Sequence, residues 1–141
     1  MKMNIITALL LGAVIGSASA QSVGESRVPV SVKTAFTGKY AGAKQVKWDK
    51  EDGAWEASFD LNGQKQSAVF TANGTQTELE TQIPVAKLPE AARTYIKSRK
   101  KTIREAAEIT DAAGKKYYEA EAGGKDYLFN AEGKVVGKVG Q

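Results

Sequence analysis

Val46-Lys47-Trp48-Asp49-Lys50-Glu51-Asp52-Gly53-Ala54-Trp55-Glu56-Ala57-Ser58-Phe59 is the stretch whose reading decides the fold. Trp55, Ala57, Phe59 and Leu61 alternate with Ala54, Glu56, Ser58 and Asp60, a period of two that places an apolar row on a core and a polar row toward water. Ahead of it Val46 and Trp48 alternate with Gln45, Lys47 and Asp49, and Glu51-Asp52-Gly53 lets the chain reverse. The stretch therefore predicts an antiparallel hairpin with one wet face.

Moving forward, Asn62-Gly63 is suited to a two-residue type I′ turn, because both residues tolerate positive φ. Gln66, Ala68 and Phe70 then share a face of the next strand. Asn73-Gly74 turns the chain into a strand on which Leu79, Thr81 and Ile83 lie together. Asn73-Gly74-Thr75 also fits a glycosylation sequon, but the flanking strand patterns favour a turn. Moving backward, Val28, Val32, Ala35 and Phe36 fall at i, i+4, i+7 and i+8, one face of a helix whose first turn suits Pro29. Gly38 and Gly42 bracket its end.

The pattern returns 60 residues later, where Leu88, Ala92, Tyr95 and Ile96 stand at the offset of Val28, Val32, Ala35 and Phe36. Ala107 and Ile109 predict a strand, Tyr118, Ala120 and Ala122 answer Trp55, Ala57 and Phe59, and Tyr127 and Phe129 mark a third. Ala113-Gly114, Gly123-Gly124 and Glu132-Gly133 are the turns, the last leading into Val135 to Val139. The expected fold is α+β, two tandem repeats over 28–83 and 84–141, each a helix packed on a four-stranded antiparallel β-meander. Alanines replace large residues in the second copy, which predicts the weaker core.

Residues 1–20 read as a secretory signal: Lys2 is the positive n-region, Ile5 to Ile15 the apolar run, and Ala18-Ser19-Ala20 the small-residue site ahead of Gln21. Cleavage is expected between Ala20 and Gln21, followed by a flexible lead-in over 21–27 and no membrane span. A membrane anchor would need roughly 20 apolar residues, and Gly12, Gly16 and Ser17 interrupt the run. Removal of Lys2 with the leader leaves 19 basic residues against 16 acidic, a net charge of +3, too small to argue for nucleic acid or another polyanion. There is no cysteine and no histidine. Disulfides, thiol catalysis, Cys/His zinc sites and Ser-His-Asp arrangements are excluded by composition.

The helix opening at Val28-Pro29 or Leu88-Pro89, the segment Lys39-Tyr40-Ala41-Gly42-Ala43-Lys44-Gln45-Val46-Lys47-Trp48 and the turns at Asp52-Gly53, Ala72-Asn73-Gly74 and Ala131-Glu132-Gly133 resemble the PepSY-like, β-lactamase-inhibitor-like periplasmic proteins of the Bacteroidetes type. The resemblance spans about Arg27 to Val139 and departs from the family at Lys97 to Ile103, where a Tyr-Pro-Gly-like turn is usual. It implies a tandem helix-and-sheet repeat and a periplasmic or secreted location. β-Lactamase inhibition belongs to particular members and is not implied.

Four groups of residues invite a chemical reading. Asp49 to Gly53 places its glycine at position 5, against position 6 in a calcium loop, so it reads as a hairpin turn. Glu78, Glu80, Glu119 and Glu121 read as water-facing strand residues, and Lys97, Arg99, Lys100, Lys101 and Arg104 as a solvated helix end. Trp48, Trp55 and Tyr118 read as core. Tyr117 opposes Tyr118 in the alternation and reads as exposed.

The function expected is that of an exported, non-enzymatic binding module of PepSY-like type with no cofactor or metal. The alternative is a protein that inhibits or regulates a periplasmic enzyme such as a protease or β-lactamase. The candidate partner-binding residues are Lys47, Glu56, Ser58, Tyr117 and Glu119, with the tip Asp49 to Gly53, on the sheet faces that helices leave open. Tyr117 is their expected anchor.

Overall fold

The computed structural model describes residues 21–139. The expected signal segment and the Ala20 side of its cleavage site lie outside the described residues. Nine strands follow in chain order: β1 (Gln21–Val23), β2 (Lys44–Glu51), β3 (Ala54–Leu61), β4 (Gln64–Phe70), β5 (Gln76–Ile83), β6 (Ile103–Asp111), β7 (Lys116–Ala122), β8 (Lys125–Asn130) and β9 (Val135–Val139). Helix α1 (Val30–Lys39) precedes β2 and helix α2 (Glu90–Ser98) precedes β6.

The expectation of two tandem helix-plus-four-strand repeats is overturned. The nine strands belong to one antiparallel sheet in the order β1 to β9, accompanied by two short helices. Alternation tells which face a side chain takes, but it is silent on which strand edges pair, and edge pairing decides whether strands form one sheet or two. The lead-in shows the same thing: 21–27 supplies β1, paired antiparallel with β2 from Gln21↔Lys50 to Val23↔Trp48, and a 3-10 turn at Glu25–Arg27.

The chain divides into two compact units at Leu79 and Glu80. In the N-terminal unit α1 buries Val32 and Phe36, with Val28 just ahead of the helix, against Trp48, Trp55, Ala57, Phe59, Ala68 and Phe70. Phe36 is the hub, with ring centroids 5.5 Å from Tyr40, 5.3 Å from Trp48, 5.0 Å from Phe59 and 6.4 Å from Phe70. Pro29 stands at the N-cap, one residue before the first turn, and its carbonyl accepts from Lys33 N at 3.0 Å. Val46 does not join Trp48 in the core and is 37% exposed. The β2–β3 register shifts between Lys44 and Lys47, and Gln45 takes a φ of 54°, so the alternation breaks at this bulge.

In the C-terminal unit Leu88, Ala92 and Ile96 pack with Ala106, Ala120, Ala122, Tyr127 and Phe129. Four of these eight residues are alanine, so Leu88, Ile96, Tyr127 and Phe129 carry most of the large apolar surface. The edge of Tyr95 meets Phe129 at 5.8 Å.

Candidate functional site

In the N-terminal unit α1 packs on the Trp55 face of its strands, and among the described residues of that unit no second α-helix lies on the opposite face. Cross-strand pairing builds two rows there: Lys47, Ser58 and Ser67 in one, Asp49, Glu56 and Val69 in the next. The expected residues Lys47, Glu56 and Ser58 are thus neighbours. Lys47 is exposed and Ser58 half-buried, but Glu56 is only 4% exposed, contrary to its reading as a water-facing residue. The Ser67 hydroxyl donates to Glu56 Oε1, and a carboxylate with such a partner can sit where an unpaired one would not. Ser67 was not anticipated, although counting outward from the two-residue turn at Asn62-Gly63 pairs it with Ser58.

The C-terminal unit presents Tyr117 and Glu119 on its own helix-free face, Tyr117 between Ile109 and Asn130 and Glu119 between Ala107 and Leu128. Tyr117 is 8% exposed, so it is not the exposed anchor that the alternation predicted. Ile109 and Leu128 flank this face as buried apolar residues, and Lys115 Nζ lies 5.1 Å from the Tyr117 ring centroid. Tyr117→Ala is therefore expected to lower the urea midpoint, by an amount equivalent to about 2 kcal/mol, where an exposed anchor would leave it nearly unchanged. The glutamates read as water-facing are also covered: Glu78, Glu80 and Glu119 are buried and Glu121 is half-buried. Glu121 accepts from Gly124 N at 2.9 Å and lies 3.7 Å from Arg104 Nε.

A second row on the same face sets Glu105, Glu121 and Asp126 on adjacent strands. Burial first, then the charges of Glu121 and Glu105, push the Asp126 carboxyl up to about 6. Between the ordinary carboxylate range and about pH 6 the folded state then holds more protons than the unfolded chain, so this group costs stability as pH rises through that window. Asp126→Asn should match wild type in urea midpoint near pH 4 and exceed it near pH 7. A gap that does not widen with pH would count against the row. Like Ser67, this pairing follows from a turn: Gly123-Gly124 is the two-residue hairpin turn that sets Glu121 opposite Asp126.

The expected tip, Asp49 to Gly53, is where this region meets solvent. Asp52 and Gly53 take φ values of 48° and 79°, the positive pair a type I′ turn requires. Lys50, Asp52 and Gly53 are exposed, and Lys50 Nζ lies 5.0 Å from the Trp55 ring centroid. Burial, followed by the charges of Asp52 and Asp49, raises the pKa of Glu51. Strand β2 is paired on both sides, with β1 and β3, up to this tip.

Lys97, Arg99 and Lys100 are exposed at the end of α2, Arg99 lies 4.3 Å over Tyr95, and Lys101 Nζ donates to the Tyr127 hydroxyl at 2.7 Å. Among the described residues no group of three or more acidic side chains is arranged to hold a metal ion, and no helix is long and apolar enough to cross a membrane.

No protein-family model and no curated protein matches the chain. Solved structures do. A protein from Bacteroides eggerthii with a provisional periplasmic assignment aligns at a TM-score of 0.70 and 17% identity, covering 79% of this chain and 87% of its own. A DUF2874 family protein from Bacteroides uniformis aligns at 0.69 and 17% identity, covering 78% and 87%. A BLIP-like protein from Bacteroides fragilis aligns at 0.60 and 18% identity, covering 77% and 82%. At these identities the likeness is one of fold: the chain is built like these Bacteroides proteins over more than three quarters of its length.

Proposed function

We propose that the protein is an exported, non-enzymatic binding module that works in the periplasm and recognises a protein partner through Lys47 and the β2–β3 tip, Asp49 to Gly53. The observation that carries this reading is the tip itself, a solvent-exposed type I′ turn on a strand paired with β3 on one edge and, over Trp48–Lys50, with β1 on the other. A hairpin held in this way loses little freedom on binding, which favours recognition. The provisional periplasmic assignment of one structural neighbour supports the location, and the absence of cysteine and histidine supports a role without catalysis. The PepSY-like kinship rests on sequence resemblance: the helix openings at Val28-Pro29 and Leu88-Pro89, the run from Lys39 to Trp48, and the turns at Asp52-Gly53, Ala72-Asn73-Gly74 and Ala131-Glu132-Gly133. Glu56, Tyr117 and Glu119 belong to the buried support of the sheet and leave contact to Lys47, with Ser58 at its margin.

A photo-crosslinking residue placed at Lys47 or Asp52 tests the reading in periplasm, with Thr34 on the exposed side of α1 as control. A discrete crosslinked protein from Lys47 and Asp52 but not from Thr34 is the expected result. Crosslinks from Thr34 alone would move the recognition surface to the helix side.

The inhibitor reading has one observation in its favour, the fold shared with a BLIP-like protein. Slowed hydrolysis of a chromogenic cephalosporin by a class A β-lactamase, reversed by Asp52→Ala, would support it. An unchanged rate at high micromolar protein would remove that class of enzyme.

A further inference from the structure

The positive charge of the chain is unevenly placed. Residues 21–79 hold seven lysines and arginines against seven acids, whereas 80–141 hold twelve against nine, so the whole excess belongs to the C-terminal unit. Within that unit Arg93, Lys97, Arg99, Lys100, Lys101 and Arg104 stand between Glu90 and Glu105 with no acid among them. The carbonyl end of a helix offers cations only about half an elementary charge, too little to account for six. Lys100 moreover takes a φ of 55°, a left-handed conformation that costs an L side chain and that glycine adopts freely. The turn after α1 places Gly42 at its positive φ of 87°, so the exit from α2 keeps a cation where glycine would relieve strain. Two further cations rest on rings. Arg99 lies 4.3 Å over Tyr95, Lys101 Nζ lies 5.3 Å from the Tyr127 ring centroid and donates to its hydroxyl, and the two rings stand 6.2 Å apart. Among the described residues, Arg104 alone of the six has a carboxylate beside it, Glu121 at 3.7 Å.

We propose that the run from Lys97 to Arg104 is a docking surface for an anionic lipid bilayer, holding the protein against a membrane face without a span. It draws on no residue of the β2–β3 tip. Lys97, Arg99, Lys100 and Arg104 are exposed and Lys101 is half-buried, so the run offers its charges to a partner. Arg99 and Lys101 already rest on their rings and lose little freedom when headgroup phosphates meet them. A small anion asks for a concave site with a few convergent donors. Exposed cations at successive positions suit instead a surface of repeated charge, where each contributes about fivefold in affinity. Nucleic acid would need open aromatic faces for base stacking, and Tyr95 and Tyr127 carry Arg99 and Lys101 on theirs. The net charge of the whole chain is small, but a bilayer meets only the charges within a Debye length of its surface.

The test is co-sedimentation of the protein, purified as its host exports it, with vesicles of equal parts phosphatidylglycerol and phosphatidylcholine, beside vesicles of phosphatidylcholine alone. Binding to the first and not to the second, lost at molar salt, is the expected result. Lys97→Gln, Arg99→Gln and Lys100→Gln combined should weaken it on the order of 100-fold. Lys39→Gln, Lys44→Gln and Lys65→Gln combined remove as much charge from exposed positions of the N-terminal unit and should leave it within about twofold. Lys100→Gly separates charge from fold: binding should fall about fivefold, while the thermal midpoint holds or rises as the strain is relieved. A lysine that merely ends a solvated helix would leave binding unchanged in that variant. Equal weakening by the two triple variants would overturn the proposal, as would equal binding to both kinds of vesicle. Binding to soluble heparin or polyaspartate without binding to the anionic vesicles would also overturn it, in favour of an acidic macromolecule. None of these results touches the crosslinking outcome at Lys47, so failure here and failure of the binding reading stay separate.

Discussion

Phe36→Ala is expected to cost about 4 kcal/mol of folding stability, read as a lowered urea midpoint at unchanged slope. Truncation removes a ring that meets Tyr40, Trp48, Phe59 and Phe70 and leaves a cavity under α1. Rigid rings on three strands surround the gap, so it has little means of collapsing. Aromatic pairs also contribute about 0.5–1.5 kcal/mol beyond their buried area, and this side chain takes part in four. Val30→Ala, six residues earlier at a position 75% exposed, should stay within about 0.5 kcal/mol of wild type. Equal midpoints for the two variants would mean that α1 does not dock on the Trp55 face.

Gly74→Ala is expected to cost about 3 kcal/mol, and the comparison with Gly53→Ala isolates the cause. Both glycines take positive φ, 87° and 79°, so an added Cβ is strained at either by about 1–2 kcal/mol. Around Gly53 nothing lies within 4 Å. At Gly74 the Cβ would stand 2.6 Å from the Ser31 carbonyl oxygen, a backbone atom of α1 that cannot move without the helix. The Ser31 hydroxyl meanwhile donates to the Ala72 carbonyl at 2.7 Å, tying the helix start to the same turn. Thermal melts should place Gly74→Ala well below Gly53→Ala. Similar melting temperatures would show that the turn stands clear of the helix.

The candidate site divides along the same lines. Faces were legible wherever a two-residue turn fixed the register: Asn62-Gly63 sets Ser58 opposite Ser67, and Gly123-Gly124 sets Glu121 opposite Asp126. Depth was not legible. Glu56 and Tyr117 occupy the expected helix-free faces, yet both are buried, because a polar residue on an alternating strand can be covered once a neighbour such as Ser67 meets its hydrogen-bonding need. The β1 pairing that brings Gln21 to the tip left no trace in the pattern, since three residues are too few to show alternation.

Taken alone, the amino-acid order determined the local structure: the helix faces of Val32 with Phe36 and of Ala92 with Ile96, the apolar rows on β3 and β8, and the glycine turns between strands. These features depend on backbone geometry and on periods of two and 3.6 residues, which neighbouring side chains encode directly. The tertiary structure alone decided that nine strands share one sheet, that Gln21–Val23 adds to the edge of β2, and that Glu56, Tyr117 and Glu119 are buried. Edge hydrogen bonds are made by backbone groups that every residue carries, and burial depends on what a distant segment lays over a face, so neither is written in local side-chain order.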